Sequence, residues 1–340
     1  MKIIAVTNQK GGVAKTTTAT AMAAGLKKRG YDVLLIDTDY QGNSTDTYRA
    51  QVEDQATLFD VLCANDKISE AIQHTEAGDI VASDPLLEEA EQRLTSQGRE
   101  FKLREALEEI DGQYDYVILD TPPGLGILLI NALTAATSCV IPMSADRYGL
   151  QGLSGLDKSI GRVRKYSNRD LKIDGLLFCK YNPRLNLSKN VMEVVEGVEK
   201  ALGTKMYETT IRESVAAREA QAARKTLFDA APDCTAARDY DAFLDEFLYQ
   251  HEGFRVSKYG VLQELKACRE TGGEIRTFDE KESWGIAFDR AGASFRIYSG
   301  HGGGLIGEYA DENILKKFQL ADEEAFMGET SQSVCEFVFE

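Results

Sequence analysis

The sequence lacks the features of secreted and membrane-spanning proteins. Its six cysteines are scattered and form no CxxC pair, which favours reduced thiols in a cytosolic protein. No apolar run approaches the roughly 18 residues that a membrane span needs. The chain opens on the apolar run KIIAVTN, with no signal peptide before it. We therefore expect a cytoplasmic protein.

Positive charge is also in short supply. Lys and Arg total 39 against 55 Asp and Glu, which gives a formal net charge of −16. Any nucleic-acid binding would therefore need a local basic face that works against the field of the whole chain. With 43% hydrophobic and 28% charged residues over 340 positions, the composition predicts a packed globular protein with one large domain, alone or with an appendage.

Apolar runs alternate with helical stretches over residues 1–250. The runs predicted as buried strands are KIIAVTN, DVLLID, DIVAS, YDYVILD, SCVIPM and IDGLLFCKY. The stretches predicted as helices include KTTTATAMAAGLKKRG, GREFKLREALEEIDG and TAARDYDAFLDEFLYQ. Strands covered on both faces read as continuous apolar runs. The pattern predicts an α/β fold with a doubly wound, mostly parallel sheet and helices on both faces.

The pattern changes over residues 251–340, which carry 17 acidic and 10 basic side chains. GGEIRTF, SWGIAFD and ASFRIYS are short strand-like runs, DRAG is typical of a hairpin turn, and GHGGG of a flexible turn. DENILKKFQLAD is predicted as a helix capped by Asp311. We expect a small acidic α+β domain of unknown role.

The stretch NQKGGVAKTTTA, residues 8–19, has the order strand, glycine-rich turn, helix. In a phosphate loop the backbone N–H groups of such a turn face the phosphates, Lys15 reaches the β- and γ-phosphates, and the Thr16 hydroxyl binds Mg²⁺. This context predicts nucleotide binding. Ala14 replaces the usual glycine before the lysine, so a working loop is expected to hold Ala14 in a right-handed conformation.

Lys10 is a second lysine at the start of the same loop. The direction of the chain suggests that Lys10 points away from its own nucleotide, toward a facing subunit. The alternative is a solvated surface lysine.

Three carboxylates follow predicted strands: Asp37 and Asp39 in VLLIDTDYQGN, and Asp120 in YDYVILDTPPG. Ligands of an α/β sheet bind at the carboxyl ends of its strands, so these acids are expected to converge on the phosphate loop. The alternative for Asp37 and Asp39 is that they only cap the next turn.

These segments resemble the ParA/MinD family of dimerising ATPases. KGGVAKT resembles the family's deviant Walker A motif, DTDYQGN its DxDPQGN with Tyr40 for proline, and DTPPGLG its DxPPSLG with Gly124 for serine. The segments INALTAATSCVIPMSADRYGLQGLSGL, YNPRLNLSKNV and TTIRESVAAREAQ extend the resemblance to about residue 249.

The resemblance implies an ATPase with ATP and Mg²⁺ as cofactors. The nucleotide would be held by Lys10, Gly11, Gly12, Val13, Ala14, Lys15, Thr16 and Thr17, and the metal by Thr16, Asp37 and Asp120. Lys10, Lys15 and Asp39 would be catalytic: Lys10 across a sandwich dimer, and Asp39 by aligning the attacking water.

Three functions share this fold, and the fold alone does not choose among them. Members resembling the nitrogenase iron protein need paired loop cysteines, which do not follow Asp120. Members resembling MinD end in a basic amphipathic helix, whereas this chain ends in the acidic SQSVCEFVFE. Members resembling ParA bind DNA without sequence preference, through Lys and Arg on phosphates.

The ParA-like function gives six candidate DNA contacts: Arg184, Lys189, Arg212, Arg218, Arg224 and Lys225. Two or three of the last three are expected near one helical face. The alternative is a solvated face with ion pairs to Glu213 and Glu219. Glu213 and Ala216 stand where the family's pattern has arginines.

The resemblance therefore implies an ATP-dependent partition ATPase whose homodimer binds double-stranded DNA in the nucleoid and answers to a ParB-like centromere-binding protein. No membrane partner is expected. The alternatives are a MinD-like, cargo-positioning or regulatory ATPase that acts on a protein or membrane surface, and a nucleotide-binding fold without activity.

Overall fold

The computed structural model describes residues 1–144, 149–181, 199 and 202–252, together with four strands between 276 and 310. The chain divides into two compact units, Met1–Asp241 and Ala242–Glu340. The division at residue 250 that the sequence suggests stays a prediction. Within the described residues, no helix combines the length and apolar character needed to cross a membrane.

The first unit contains an eight-stranded sheet with the order β3-β4-β2-β5-β1-β6-β7-β8. Its strands are β1 Lys2–Val6, β2 Val33–Asp37, β3 Ile72–His74, β4 Asp79–Val81, β5 Tyr116–Asp120, β6 Ser138–Ser144, β7 Lys172–Tyr181 and β8 Met206–Arg212. All neighbours are parallel except the pair of β3 and β4. The predicted doubly wound α/β fold is confirmed.

Helices connect these strands. They are α1 Lys15–Lys28, α2 Asn43–Thr47, α3 Ile68–Ala71, α4 Ala90–Arg93, α5 Lys102–Glu108, α6 Ile127–Ala135, α7 Gly149–Tyr166, α8 Val215–Ala222, α9 Leu227–Ala230 and α10 Thr235–Glu252. A π-helical turn, Asp60–Ala64, and two 3₁₀ turns, Pro85–Glu89 and Arg99–Phe101, complete the connections.

The core lies on both faces of the central strands. Every residue of β2, β5 and β6 is buried, which explains why these segments show no alternation of polar and apolar residues. Helix α6 is also buried over nearly its whole length. At the sheet edge, β8 mixes buried, half-buried and exposed positions without regular alternation. This mixed pattern is the reason that the sequence analysis did not predict β8 as a strand.

The register of the central strands places acidic residues together. Strand β2 pairs with β5 so that Asp37 lies opposite Asp120, and β5 pairs with β1 so that Asp120 lies opposite Val6. The phosphate loop begins directly after β1. The three strand ends therefore bring two carboxylates and the loop to one edge of the sheet.

The described part of the second unit is an antiparallel sheet with the order β12-β11-β10-β9. Its strands are β9 Arg276–Thr277, β10 Trp284–Asp289, β11 Ser294–Ser299 and β12 Gly304–Ala310. The first three lie in predicted strand runs, whereas β12 was not predicted. It begins at the last glycine of GHGGG. The predicted DRAG turn and the helix capped by Asp311 lie outside the described residues.

A close contact on the sheet generates a stability prediction. A Cβ atom on Gly175 of β7 would lie 2.6 Å from the Tyr207 ring on β8. Because ring and backbone have little freedom to separate, Gly175→Ala should lower the free energy of unfolding by about 1–3 kcal/mol. Chemical denaturation measures the change. The control is Gly161→Ala, in the exposed interior of α7 where nothing lies within 4 Å, which should be neutral or stabilising. Equal midpoints for wild type and Gly175→Ala would contradict the prediction.

Candidate nucleotide and metal site

The phosphate loop is held from both ends. At its start, the Asn8 side chain donates to the Pro142 carbonyl at 2.7 Å and accepts from the Lys10 backbone N–H at 3.0 Å. At its end, the loop runs into α1, whose first residue is Lys15. The free N–H groups of a helix N-terminus favour negative charge. The loop thus presents an anion site beside the acidic strand ends.

Ala14 corrects one prediction. It has φ 72° and ψ 27°, a left-handed conformation, and it directly precedes α1. The expected right-handed conformation is wrong, because the chain must reverse here to bring the helix N-terminus onto the loop. The left-handed region costs a residue with a Cβ roughly 1–2 kcal/mol. Alanine therefore keeps the geometry of the usual glycine and carries strain at the site.

Lys15 reaches back over the loop. Its side chain is buried and donates to the Lys10 carbonyl at 3.2 Å. Burial lowers the Lys15 pKa, and the charges of Asp120 and Asp39 oppose that shift. The Lys10 side chain is half-buried. Among the described residues that line the adjoining cleft, Lys15 is present and Lys10 is not.

The three predicted carboxylates converge on this loop. Asp37 and Asp120 are fully buried, and Asp39 is 6% exposed. Helix α2 holds two of them: the Ser44 hydroxyl donates to Asp120 at 2.8 Å, and the Thr45 hydroxyl and N–H each donate to Asp37 at 2.8 Å.

The capping alternative for these aspartates is also present in the structure. Asp37 accepts the Thr45 N–H at the start of α2, and Asp39 accepts the Gln41 N–H at 3.1 Å. The same carboxylates therefore shape the turn after β2, and Asp39 also acts on Lys15 of the loop. Sequence reasoning missed Ser44 and Thr45, although their place at the start of a helix after DTDYQGN was the available signal.

Burial controls the charge of these acids. Desolvation, with the nearby Asp120, raises the pKa of Asp37 to about 8, although hydrogen bonds from Thr45 oppose the shift. Desolvation likewise raises the pKa of Asp120 to about 6, against hydrogen bonds from Ser44 and Thr16. Burial raises the Asp39 pKa as well. A cation placed among these groups would favour their ionised forms.

The residues present fit a magnesium ion. One oxygen of Asp120, Oδ1, is buried and has no hydrogen-bond partner among the described residues. The Thr16 hydroxyl lies close enough to the same carboxyl group to favour its ionised form. The described residues contain no group of three or more His, Cys, Asp or Glu side chains that would hold a metal alone. Mg²⁺ is typically held by one or two carboxylates with waters and substrate phosphates, so this limited donor set suits it.

A cleft of about 380 Å³ opens from the loop. Its walls include the loop and the start of α1, Asp39, and residues of β8 and α8 such as Ile211 and Ala217. Lys180, at the end of β7, also lines it and donates to the Gly12 carbonyl at 2.6 Å. Lys180 has φ 57° and was not predicted, because nothing local in the sequence connects it to a loop 168 residues away.

The candidate DNA contacts do not share one helical face. Helix α8 ends at Ala222, and Arg224 lies beyond it with φ 54°, so that expectation is wrong for Arg224 and Lys225. Arg212 pairs with Asp239 at 2.6 Å, and Arg224 with Asp46 at 2.7 Å. These partners differ from the expected Glu213 and Glu219.

The remaining candidates divide into two groups. Arg218 is exposed and lines the cleft, and Lys225 is exposed just after α8. Arg184 and Lys189 lie outside the described residues.

Comparisons with known proteins cover this same region. A family model described as an AAA domain matches residues 1–173. The sporulation initiation inhibitor protein Soj of Bacillus subtilis is 40% identical over 243 residues, 70% of this chain and 95% of that protein. The chromosome partitioning protein ParA of Myxococcus xanthus is 40% identical over 200 residues, 58% of this chain and 71% of that protein.

The chain is also similar to a solved structure that contains ligands. Cobyrinic acid a,c-diamide synthase from Mycobacterium smegmatis, with bound ATP analog and magnesium, has a TM-score of 0.62 and 30% sequence identity. The match covers 74% of this chain and 97% of that one.

The strain at Ala14 predicts opposite effects for two loop substitutions. Ala14→Gly removes the penalty of the left-handed conformation from the folded protein. Glycine also raises the conformational entropy of the unfolded chain, which offsets part of this gain, so the free energy of unfolding should rise by at most about 1 kcal/mol. Gly12→Ala should lower it by about 1 kcal/mol, because Gly12 has φ 73° and an added Cβ would meet nothing within 4 Å. Urea denaturation compares the two variants. A loss of stability in Ala14→Gly as large as that in Gly12→Ala would refute the strain argument.

The raised carboxyl pKa values predict a pH dependence without nucleotide or metal. The folded protein retains protons on Asp37 and Asp120 that the unfolded chain, with an ordinary value of 3.8, releases. The stability that this difference contributes is present at low pH and falls as the pH rises from about 4 to about 8. Urea denaturation in EDTA at a series of pH values measures the slope.

The matched variant for this pH series is Asp37→Asn, whose neutral amide removes one of the two titrating groups and should flatten the slope. The same slope in the wild type and in Asp37→Asn would contradict the prediction, because the difference between the two isolates Asp37 from the other titrating groups.

Proposed function

The chain belongs to the ParA family of partition ATPases, and we propose that it acts as an ATP-driven switch on DNA. It hydrolyses ATP and uses Mg²⁺. The proposal is that ATP closes two subunits into a sandwich dimer, which binds double-stranded DNA without sequence preference and releases it on hydrolysis. The observation that carries the proposal is the contrast between two lysines of one loop. Lys15 is buried and donates to the Lys10 carbonyl, whereas the Lys10 residue is half-buried at the loop's start.

In this proposal the chain's own groups divide the hydrolysis among them. Lys15 exchanges the Lys10 carbonyl for the β- and γ-phosphates. Thr16 and Asp120 would hold Mg²⁺, and Asp37 would support the metal's surroundings. Asp39, beside Lys15, orients the attacking water. When bound, Mg²⁺ neutralises charge that develops on the phosphates.

The first lysine acts across the dimer. Lys10 of one subunit would reach the γ-phosphate held by the other, so both nucleotides would contribute to closure. The residues from Gly11 to Thr17 would bind the nucleotide phosphates through the backbone N–H groups of the loop and of the first turn of α1. Such a dimer exists only with ATP, and hydrolysis therefore opens it.

DNA binding would rely on a local basic surface. Arg218 and Lys225 are better placed for it than Arg212 and Arg224, whose guanidinium groups already pair with aspartates. Arg184 and Lys189 stay candidates from the sequence. Contacts of this kind weaken steeply with salt.

We place the protein in the cytoplasm at the nucleoid, with a ParB-like partner that stimulates hydrolysis. Residues 251–340 form a separate domain in this proposal, and they contact that partner or tune dimerisation. A membrane has no role in it.

The second candidate is a cargo-positioning or regulatory ATPase that acts on a protein surface. Two observations favour it. Both Arg212 and Arg224 are engaged in ion pairs, and the chain carries a net charge of −16. An acidic protein repels DNA and suits a basic partner.

Fluorescence anisotropy with a random-sequence DNA duplex separates the two candidates. The wild type should bind with ATP and Mg²⁺, bind far less with ADP or no nucleotide, and lose affinity as salt rises. Lys10→Ala should abolish ATP-dependent binding, because the dimer no longer closes. Lys67→Ala, at an exposed lysine remote in sequence from the loop, should behave as the wild type.

Other outcomes assign the function differently. ATP hydrolysis without DNA binding in any nucleotide state would replace the DNA switch with the second candidate. DNA binding that is equal in all nucleotide states would contradict the switch itself.

A further inference from the structure

Two arginines far apart in the sequence cap each other's helices. Arg49, just after α2, donates from Nε to the Arg224 carbonyl at 3.1 Å and from Nη2 to the Ala223 carbonyl at 3.2 Å. Arg224, just after α8, donates from Nε to the Asp46 carbonyl at 3.3 Å and pairs with the Asp46 carboxylate at 2.7 Å. We call Asp46, Arg49, Ala223 and Arg224 the arginine clasp.

The carbonyls in the clasp lie where the two helices end, and the Asp46 carbonyl also accepts the Arg49 N–H at 3.1 Å. Ala223 and Arg224 follow the last turn of α8, and Asp46 belongs to the last turn of α2. A cation at a helix C-terminus satisfies such carbonyls and meets the negative end of the helix dipole. Each arginine therefore caps the helix that the other one follows.

Backbone strain marks the same two residues. Arg49 and Arg224 both have φ 54°, in the left-handed region where glycine or asparagine usually ends a helix. A residue with a long side chain has a penalty there, and it persists only where the surroundings impose it. Glycine at either position would relieve the strain but would remove the guanidinium. The side-chain contacts of the clasp supply what offsets the penalty.

The clasp fixes the far end of α2, which has only five residues. A helix this short is not stable by itself, so its position depends on what holds its ends. At its start, Ser44 donates to Asp120 and Thr45 to Asp37. The Thr45 hydroxyl also accepts the Ser83 N–H at 2.8 Å. The carboxylates are thus held by one end of α2 while the clasp holds the other.

We propose that Arg49 and Arg224 are positioning residues for ATP hydrolysis, which set α2 so that Ser44 and Thr45 hold Asp120 and Asp37 in the geometry that Mg²⁺ requires. The clasp touches neither nucleotide nor metal. Its ion pair is half exposed and contributes little by itself, so its effect comes from the four bonds acting together on a short helix. The proposal rests on the ATPase reaction and not on DNA binding.

The first experiment measures the Mg²⁺ dependence of ATP hydrolysis. Arg49→Ala and Arg224→Ala should each raise the Mg²⁺ concentration for half-maximal activity by about three- to tenfold, less than the loss of a group in direct contact with a metal ligand. The KM for ATP at saturating Mg²⁺ should change little. The double variant should resemble either single variant, because each removes the same clasp.

The second experiment needs no turnover. Hydrogen–deuterium exchange of the nucleotide-free protein follows the peptide that contains α2, including the Thr45 amide bound to Asp37. Arg49→Ala should exchange faster there, whereas the peptide that contains β1 should not change. This local readout separates loss of position from general loss of stability.

The matched control is Arg93→Ala. Arg93 pairs with Glu89 at 2.9 Å and is about as exposed as Arg224, at 53% against 50%. It should leave both the Mg²⁺ dependence and the exchange of α2 as in the wild type. Arg224→Asp alone should raise the Mg²⁺ concentration for half-maximal activity. The double variant Asp46→Arg with Arg224→Asp, which reverses the ion pair, should bring that concentration part of the way back to the wild-type value.

Two results would overturn the proposal. One is wild-type Mg²⁺ dependence in Arg49→Ala, whatever the exchange of α2. The other is a loss that Arg93→Ala reproduces. If Arg49→Ala does not fold, Arg49→Lys takes its place, because lysine keeps the charge but lacks the planar fork that reaches two carbonyls. None of these measurements includes DNA, so a failure of the DNA switch would leave them unaffected.

Discussion

The burial of two carboxyl groups at neighbouring strand ends constrains the rest of the molecule. Asp37 and Asp120 lie opposite each other in the register of β2 and β5, and both are completely buried. Two carboxylates in such a place are expensive to ionise unless cations and hydrogen-bond donors face them. The buried lysine of the loop, the hydroxyl groups at the start of α2 and the fit for Mg²⁺ all answer this one requirement. The fold places the two carboxyl groups at the strand ends, and the surrounding groups of the site offset the cost of burying them.

The sequence predicts this part of the molecule well because its signals are local. Continuous apolar runs identify β2 and β5, and an acid after each run identifies the sheet edge where ligands bind. It predicts less well where a long-range contact decides the conformation. The left-handed Ala14 depends on how the loop meets α1, and the bond from Lys180 to Gly12 joins segments 168 residues apart. Strand β8, with its mixed edge pattern, falls in the same class.

The basic residues show how charge counted along a chain differs from charge available in space. Arg212 and Arg224 stand in a basic segment, yet each already has an aspartate from elsewhere in the sequence. A helical spacing rule fails for Arg224 because α8 has ended before it. In an acidic chain the nearest anion is often intramolecular. A basic surface for a partner must therefore be assembled from the cations that this internal pairing leaves available.

The lysine bonds to two loop carbonyls give the site a definite chemistry. Lys15 rests on the Lys10 carbonyl and Lys180 on the Gly12 carbonyl, so the ammonium groups already have oxygen partners before any phosphate arrives. In the proposed site, a phosphate that replaced either carbonyl would exchange one oxygen partner of the lysine for another. When the phosphate leaves, the same carbonyls would again accept hydrogen bonds from the lysines. A departing phosphate would then leave Lys15 paired with the Lys10 carbonyl, so that no unpaired cation would stay buried at the loop.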